Sequence, residues 1–455
     1  MTEIDQVATV PVWKRRLAAV TIAVLALAVA ILTYALVTRS YRSDAAASAA
    51  GQAVSAEKSP SAESLHYRVG RLELGLLDGA AAEREALRSL AETMQAIQDN
   101  YYEEPGEAGL LEAMRKGLPA AMGSPWTYAL SAEAYQDLLE ANDGAYCGIG
   151  ATVLQSAQQP DVFELLEISP GSPAEEVGLL PGDQILRVDG EASSAYADPS
   201  ALAKAVKGPA GTSVELEIYR PSSERSQTFT VPRREVTNVE VETEKIGRVG
   251  LLRIREFTKA LPEQFRLGIQ ELLAQETDAL VFDLRNNPGG DAAAVRACLD
   301  ELLDSGDLAS VEGRMDGQPF RDVWRSKDGH LVPDEVPIAV LINENSASAS
   351  ELFAGCLRDR GRAVLVGKRS FGKGSGTIAY PLSGGAAVNI TVFRYFLPAG
   401  ACIEGEGLEP DLTVDLAPAA KQKLLSALKP EEDAQLTAAI HALMQKMEPK
   451  PAQIP

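Results

Sequence analysis

The chain has 455 residues, 45% of them apolar, which is enough for two or three domains with real cores. Its formal net charge of -21, with no basic stripe, excludes nucleic acid as the main partner, because a polyanion would be repelled. The cysteines Cys147, Cys298, Cys356 and Cys402 are widely spaced, and His66, His330 and His441 form no ligand-spaced cluster with them, so no metal is expected.

In chain order, Lys14, Arg15 and Arg16 precede a run without charge from Leu17 to Val37. As a helix it would span about 31 Å, matching a bilayer core. The reading is a cytoplasmic N-terminus over 1–16 and a transmembrane anchor over 17–37. That makes a single-pass protein of the cytoplasmic membrane with everything after the anchor outside it. A cleavable signal is the rival, but its apolar region usually runs only about 7–15 residues. Residues 38–79, rich at first in Ala, Ser and Gly, read as a linker. Residues 80–145 read as helical, since Leu87, Leu90, Met94, Ile97 and Tyr101 recur at helical spacing as core positions.

From Tyr146 to Arg234 the texture changes to short strands and Gly/Pro turns. Cys147-Gly-Ile-Gly-Ala151 is followed by Pro170-Gly-Ser-Pro-Ala174, then by Gly182-Asp-Gln-Ile-Leu-Arg-Val188. The stretch 146–234 resembles a PDZ domain of the bacterial protease-associated kind. Backbone N–H groups around Gly148, Ile149, Gly150 and Ala151 can hold a terminal carboxylate while the peptide adds as a strand to a sheet edge. Glycine suits that loop because a Cβ would block close approach.

Residues 235–415 alternate strand and helix, which implies an α/β core. Val249–Ile254, Ala279–Leu284, Ile338–Ile342 and Ala363–Val366 read as strands, with helices from about Asp291 and Ala347. Ile378 to Phe396 reads as a hairpin turning at Ser383-Gly-Gly385, and residues 416–455 as a helical, charged tail.

Ser346-Ala-Ser348-Ala-Ser350-Glu351 sits where a strand hands over to a helix. Free backbone N–H groups and the positive helix end there can stabilise an oxyanion. Serines at helix starts are more often N-caps, and Ser346 suits that role. Lys373 follows in Phe371-Gly-Lys-Gly374. A lysine becomes a base only if burial lowers its pKa from about 10.4 toward neutrality, and it can then activate a serine without histidine.

Asn343-Glu-Asn-Ser-Ala-Ser-Ala-Ser-Glu351, Asp359-Arg-Gly-Arg362, Phe371-Gly-Lys-Gly374, Asp283-Leu-Arg-Asn-Asn-Pro-Gly-Gly290 and Tyr395-Phe-Leu-Pro-Ala-Gly400 are all present. Together they resemble the C-terminal processing peptidases of family S41, over about residues 80–415. The resemblance implies Ser348 as nucleophile and Lys373 as general base. It implies the N–H groups of Gly289 and Ala349 as the oxyanion hole. Asp359 also falls on a family motif, but eleven helical residues put it roughly 16 Å from Ser348, so its expected role is structural. Thr377 occupies the position where the family often has a glutamine that orients the lysine. A second departure is Met122-Gly-Ser-Pro-Trp126, where the family usually has an Asp-Pro turn.

The fold class implied is α/β, a crotonase/ClpP-like peptidase core with an inserted, mostly-β PDZ domain. A helical N-terminal segment and one N-terminal transmembrane helix complete it. The expected function is a membrane-anchored serine endopeptidase that recognises protein C-termini through its PDZ domain, with protein or peptide substrates as partners and no cofactor. The alternative is a catalytically silent PDZ receptor, for which Thr377 is the main support. Ser370-Phe-Gly-Lys373 matches a Ser-x-x-Lys pattern, but its glycines make a loop where that pattern needs a helix start. No Gly-x-Ser-x-Gly elbow occurs, and no histidine setting suits a trypsin-like triad.

Overall fold

The computed structural model describes residues 56–58, 65–69, 72–76, 81–155, 162–327 and 329–447. It divides into one unit ending at Arg115 and another beginning at Lys116. In the first, β1 (Ala56–Lys58), β2 (Leu65–Val69) and β3 (Leu72–Leu76) form a small antiparallel sheet. This falls inside the expected linker 38–79. The alternation Leu65-His-Tyr67-Arg-Val69 has the period of two that a strand requires. Helix α1 (Ala81–Asn100) follows, and α2 (Gly106–Ala120) runs into the second unit.

The second unit begins with a short strand, β4 (Tyr128–Leu130), which interrupts the expected helical region, and then α3 (Ala132–Asp143). Ser131 caps α3 through Ala134 N–H, and Gly144 ends it in the left-handed conformation. A neck of two antiparallel strands, β5 (Ala145–Gly148) and β12 (Arg234–Thr237), leads into and out of the PDZ region. That region holds β6 (Ala151–Gln155), β7 (Phe163–Ile168), α4 (Pro173–Glu176), β8 (Gln184–Val188), β9 (Glu191–Ala192), α5 (Pro199–Val206), β10 (Ser213–Arg220) and β11 (Arg225–Pro232). Its sheet order is β11-β10-β8-β7-β6, leaving β6 at an edge. Phe163, Leu165, Ile185, Leu202, Leu216 and Ile218 fill its separate core.

The peptidase core is a sheet of order β13-β14-β15-β18-β19-β22. The strands are β13 (Val241–Ile246), β14 (Val249–Ile254), β15 (Ala279–Asp283), β18 (Ile338–Ile342), β19 (Ala363–Gly367) and β22 (Leu412–Thr413). All pairs after β13–β14 are parallel. β15 and β18 are buried on both faces and read as apolar runs, broken only by Asp283 at the end of β15. Leu280, Phe282, Ile338 and Val340 point to one side, against α6 (Leu261–Ala274), α7 (Ala292–Asp300) and α8 (Ala349–Asp359). Ala279, Val281, Ala339 and Leu341 point to the other, against Leu436, Ala439 and Leu443 of α9 (Ala434–Met447). The expected charged tail therefore closes the second face of the sheet. A second sheet of order β17-β16-β21-β20 is built from β16 (Gly306–Met315), β17 (Gln318–Ser326), β20 (Ser375–Pro381) and β21 (Ala387–Phe396), with β4 on β21.

The fold class needs one correction. Among the described residues no helix is long and apolar enough to cross a membrane. The longest, α1, carries Glu83, Arg84, Glu85, Arg88, Glu92 and Asp99 over its 20 residues, which hydrocarbon would not accept. The expected anchor 17–37 lies outside the described residues.

Candidate active site

Three serines lie at the turn from β18 into α8, and hydrogen bonding separates them. Ser346 is fully buried, donating to Leu284 O (2.8 Å) and accepting from Asn343 N–H (2.9 Å). Ser350 is fully buried and donates to Asn287 Oδ1 (2.7 Å). Both fasten the turn to the loop after β15. Only Ser348 lines the neighbouring cavity of about 440 Å³. It is also the N-cap of α8, which begins at Ala349; the expected cap Ser346 and start at Ala347 stand too early. Ser348 has φ 56° and ψ -115°, a conformation costly for a residue with a Cβ.

Glu351 holds this turn. Its buried carboxylate accepts from the N–H groups of both Ser348 and Lys373, each at 2.8 Å. The Gly372 N–H and the Ser370 hydroxyl donate to its other oxygen. Burial raises the Glu351 carboxyl above the usual range, against the lowering effect of these four hydrogen bonds. On the carbonyl side, the buried Tyr395 hydroxyl lies 3.0 Å from Ser348 O and 2.8 Å from Lys373 O, and its one proton serves either. Ser348 and Lys373 are therefore clamped at both amide and carbonyl, although 25 residues separate them. Burial lowers the Lys373 ammonium from its ordinary value, opposed by the charges of Glu404 and Glu351. Among the described residues neither Ser348 Oγ nor Lys373 Nζ has a hydrogen-bond partner. The ammonium rests 4.7 Å from the centroid of the Trp126 ring.

The expected oxyanion donors differ in state. A Cβ on Gly289 would stand 2.8 Å from Ser348 Cβ and 2.6 Å from Ala347 O, so only glycine fits against the candidate nucleophile. Its N–H, however, donates to Asn287 Oδ1 (2.9 Å). The N–H groups of Gly290 and Ala349, both lining the cavity, have no partner among the described residues. Thr377 lines the cavity too, beside a bulge in the β20–β21 ladder. Asp359 lies at the far end of α8, accepting from Arg358 (3.1 Å) and Ala399 N–H (3.0 Å). Glu351, Tyr395, Asn287 and Trp126 were not singled out from sequence. The spacing Ser348-x-x-Glu351 is a capping-box signature and could have flagged Glu351.

In the PDZ region, Gly148, Ile149, Gly150 and Ala151 join the neck to edge strand β6. Gly150 has φ 79°, and a Cβ there would stand 2.2 Å from Ser172 Cβ. The Ile149 N–H has no partner among the described residues, whereas the Gly150 N–H donates to the Tyr146 hydroxyl. A groove of about 300 Å³ between β6 and α5 is walled by Ile149, Val153, Leu165, Ile185 and Val206.

An α/β core presenting one serine on a strained strand-to-helix turn, beside a half-buried lysine, defines a serine peptidase by class. The profile of peptidase family S41 matches residues 248–414, and that of a PDZ domain residues 165–220. The carboxy-terminal-processing protease of Bartonella bacilliformis is 31% identical over 333 residues, covering 72% of this chain and 75% of that one. A carboxyl-terminal-processing protease of Synechocystis is 34% identical, covering 65% and 69%. Among solved structures, the photosystem II D1 C-terminal processing protease is similar at 28% identity and TM-score 0.42, over 72% of this chain and 87% of that one. The chain belongs to peptidase family S41, the C-terminal processing serine peptidases.

Proposed function

We propose that this chain is a serine endopeptidase that takes up protein C-termini in its PDZ groove and cleaves them by a Ser348–Lys373 mechanism. The observation that carries the reading is the double clamp of Glu351 and Tyr395, which holds the two residues together at the cavity. Neutral Lys373 accepts the Ser348 proton as Oγ attacks the substrate carbonyl. The Ala349 N–H and the Gly289–Gly290 turn receive the oxyanion. The lysine ammonium then gives its proton to the departing amine, and water releases the acyl group with Lys373 again as base. Docking of a terminal carboxylate at Gly148–Gly150 would let the tail pair with β6, its apolar side chains entering the groove.

The test uses the full chain beside Ser348→Ala and Lys373→Ala, incubated with β-casein as an unfolded substrate, with products read by mass spectrometry. Cleavage by wild type alone supports the mechanism. Binding of the tail without cleavage by any variant would instead make the chain a silent receptor. A further variant, Ala203→Trp, fills the groove from α5 and is expected to raise KM on long tails about tenfold, leaving kcat within about twofold.

A further inference from the structure

We propose that Trp126 is the positioning residue for the general base, its ring face carrying the ammonium that forms on Lys373 when Ser348 gives up its proton. This rests on the Ser348–Lys373 reading above. Lys373 Nζ lies 4.7 Å from the Trp126 centroid, inside the range at which an indole face attracts a cation. No carboxylate, amide or hydroxyl among the described residues bonds it. Thr377, four residues on, makes no hydrogen bond to it either.

The main chain that carries the ring is anchored at both its N–H and its carbonyl. Asn389 Nδ2 donates to Trp126 O (2.9 Å), and Trp126 N–H donates to Ser124 Oγ (3.3 Å). Ser124 Oγ is in turn 2.8 Å from Thr391 Oγ1 on β21. Phe371 lies against the same indole with ring centroids 5.7 Å apart, so the loop bearing the lysine touches this ring through side chains on both sides of Gly372. Trp126 and Ser348 line the same cavity.

The chemistry is a proton transfer: the Oγ–H bond breaks, the lone pair of Nζ takes the proton, and a positive charge appears on nitrogen in a site that burial has made hostile to it. The negative face of the indole favours that charged form and costs no reorganisation. It therefore favours the transition state over the neutral resting base. The charge is handed back when the leaving amine takes the proton.

The test compares wild type with Trp126→Leu, Trp126→Phe and Lys373→Ala, each as the full chain. A quenched fluorescent peptide with an apolar C-terminus is the substrate, with kcat and KM measured across pH and thermal melting recorded for each variant. Leucine keeps the site apolar but removes the π face, so kcat is expected to fall roughly tenfold or more, with KM within about twofold. Loss of the face disfavours the ammonium, so the acid limb of the kcat profile should move to lower pH. Phenylalanine should restore most of the rate and return the limb toward wild type. Equal losses in both variants with an unmoved limb, or no loss in Trp126→Leu, would overturn the proposal. Wild-type activity in Lys373→Ala would instead overturn the base assignment on which it rests.

Discussion

Ser348 keeps its costly backbone because the residues around it over-determine it. Glu351 is the centre of that arrangement: it faces four donors and no acceptor, so it works only as a carboxylate. Glu351→Gln turns two donors of its own toward donors and is expected to lower kcat about 100-fold, where Tyr395→Phe costs about fivefold. Steady-state kinetics on one substrate checks both, and a larger loss in Tyr395→Phe would reverse the ranking. Ser348 and Lys373 could be put forward from sequence as the candidate pair because each sits in a contiguous motif. Tyr395 and Trp126 could not, because their contacts arise only when β21 and the segment before β4 are brought together. Gly289 was expected from the resemblance as an oxyanion-hole donor, but the side chain that occupies its N–H, Asn287, was not foreseen.

Among the elements, the strands of the core were the most legible: Val249–Ile254 and Ile338–Ile342 have the bounds expected of them. Both are short runs flanked by polar turns, Ile338–Ile342 wholly apolar and Val249–Ile254 apolar but for Arg253. The hairpin β16–β17 escaped notice because charges such as Glu312, Arg314, Arg321 and Arg325 break up its apolar pattern. The neck strands raise a question of pH. Glu240, between β12 and β13, is buried, with its N–H on Gln264 Oε1 (2.9 Å). Burial first, then the charge of Glu256, raises its carboxyl from 4.5 to about 7, while Thr258, Asn238 and Arg255 oppose the shift. Between those values the native state binds more protons than the unfolded one, so this group erodes stability as pH rises and leaves the cost in place above about 7. Glu240→Gln should therefore stabilise the protein by about 2 kcal/mol at pH 8 and change little at pH 4. Denaturant melts at the two pH values check the sign.

At the scale of the whole molecule, a buried cluster joins the catalytic sheet to the C-terminal helix. Arg285, fully enclosed, pairs with Asp283 at the end of β15 (2.6 Å) and with Asp433 just before α9 (2.8 Å), and it also donates to Gln435 (3.0 Å). Arg285→Ala leaves Asp433 without its counter-charge and Asp283 with only the more distant Arg253 (3.9 Å), and should cost about 3–5 kcal/mol, read as a lowered denaturant midpoint. Sequence offered only half of this: Asp283-Leu-Arg285 stood inside a motif, but its partner lay 148 residues on in a stretch with no motif at all.

The way α9 is seated bears on how the fold resists being pulled apart. Leu436 and Leu443 of this helix are locked in the core, and Asp433 just before it is tied to Arg285. Drawing that stretch out as extended chain would mean extracting both leucines, at about 1.5–3 kcal/mol each, before the buried ion pair is broken. The helix that completes the sheet is thus also a latch against unravelling.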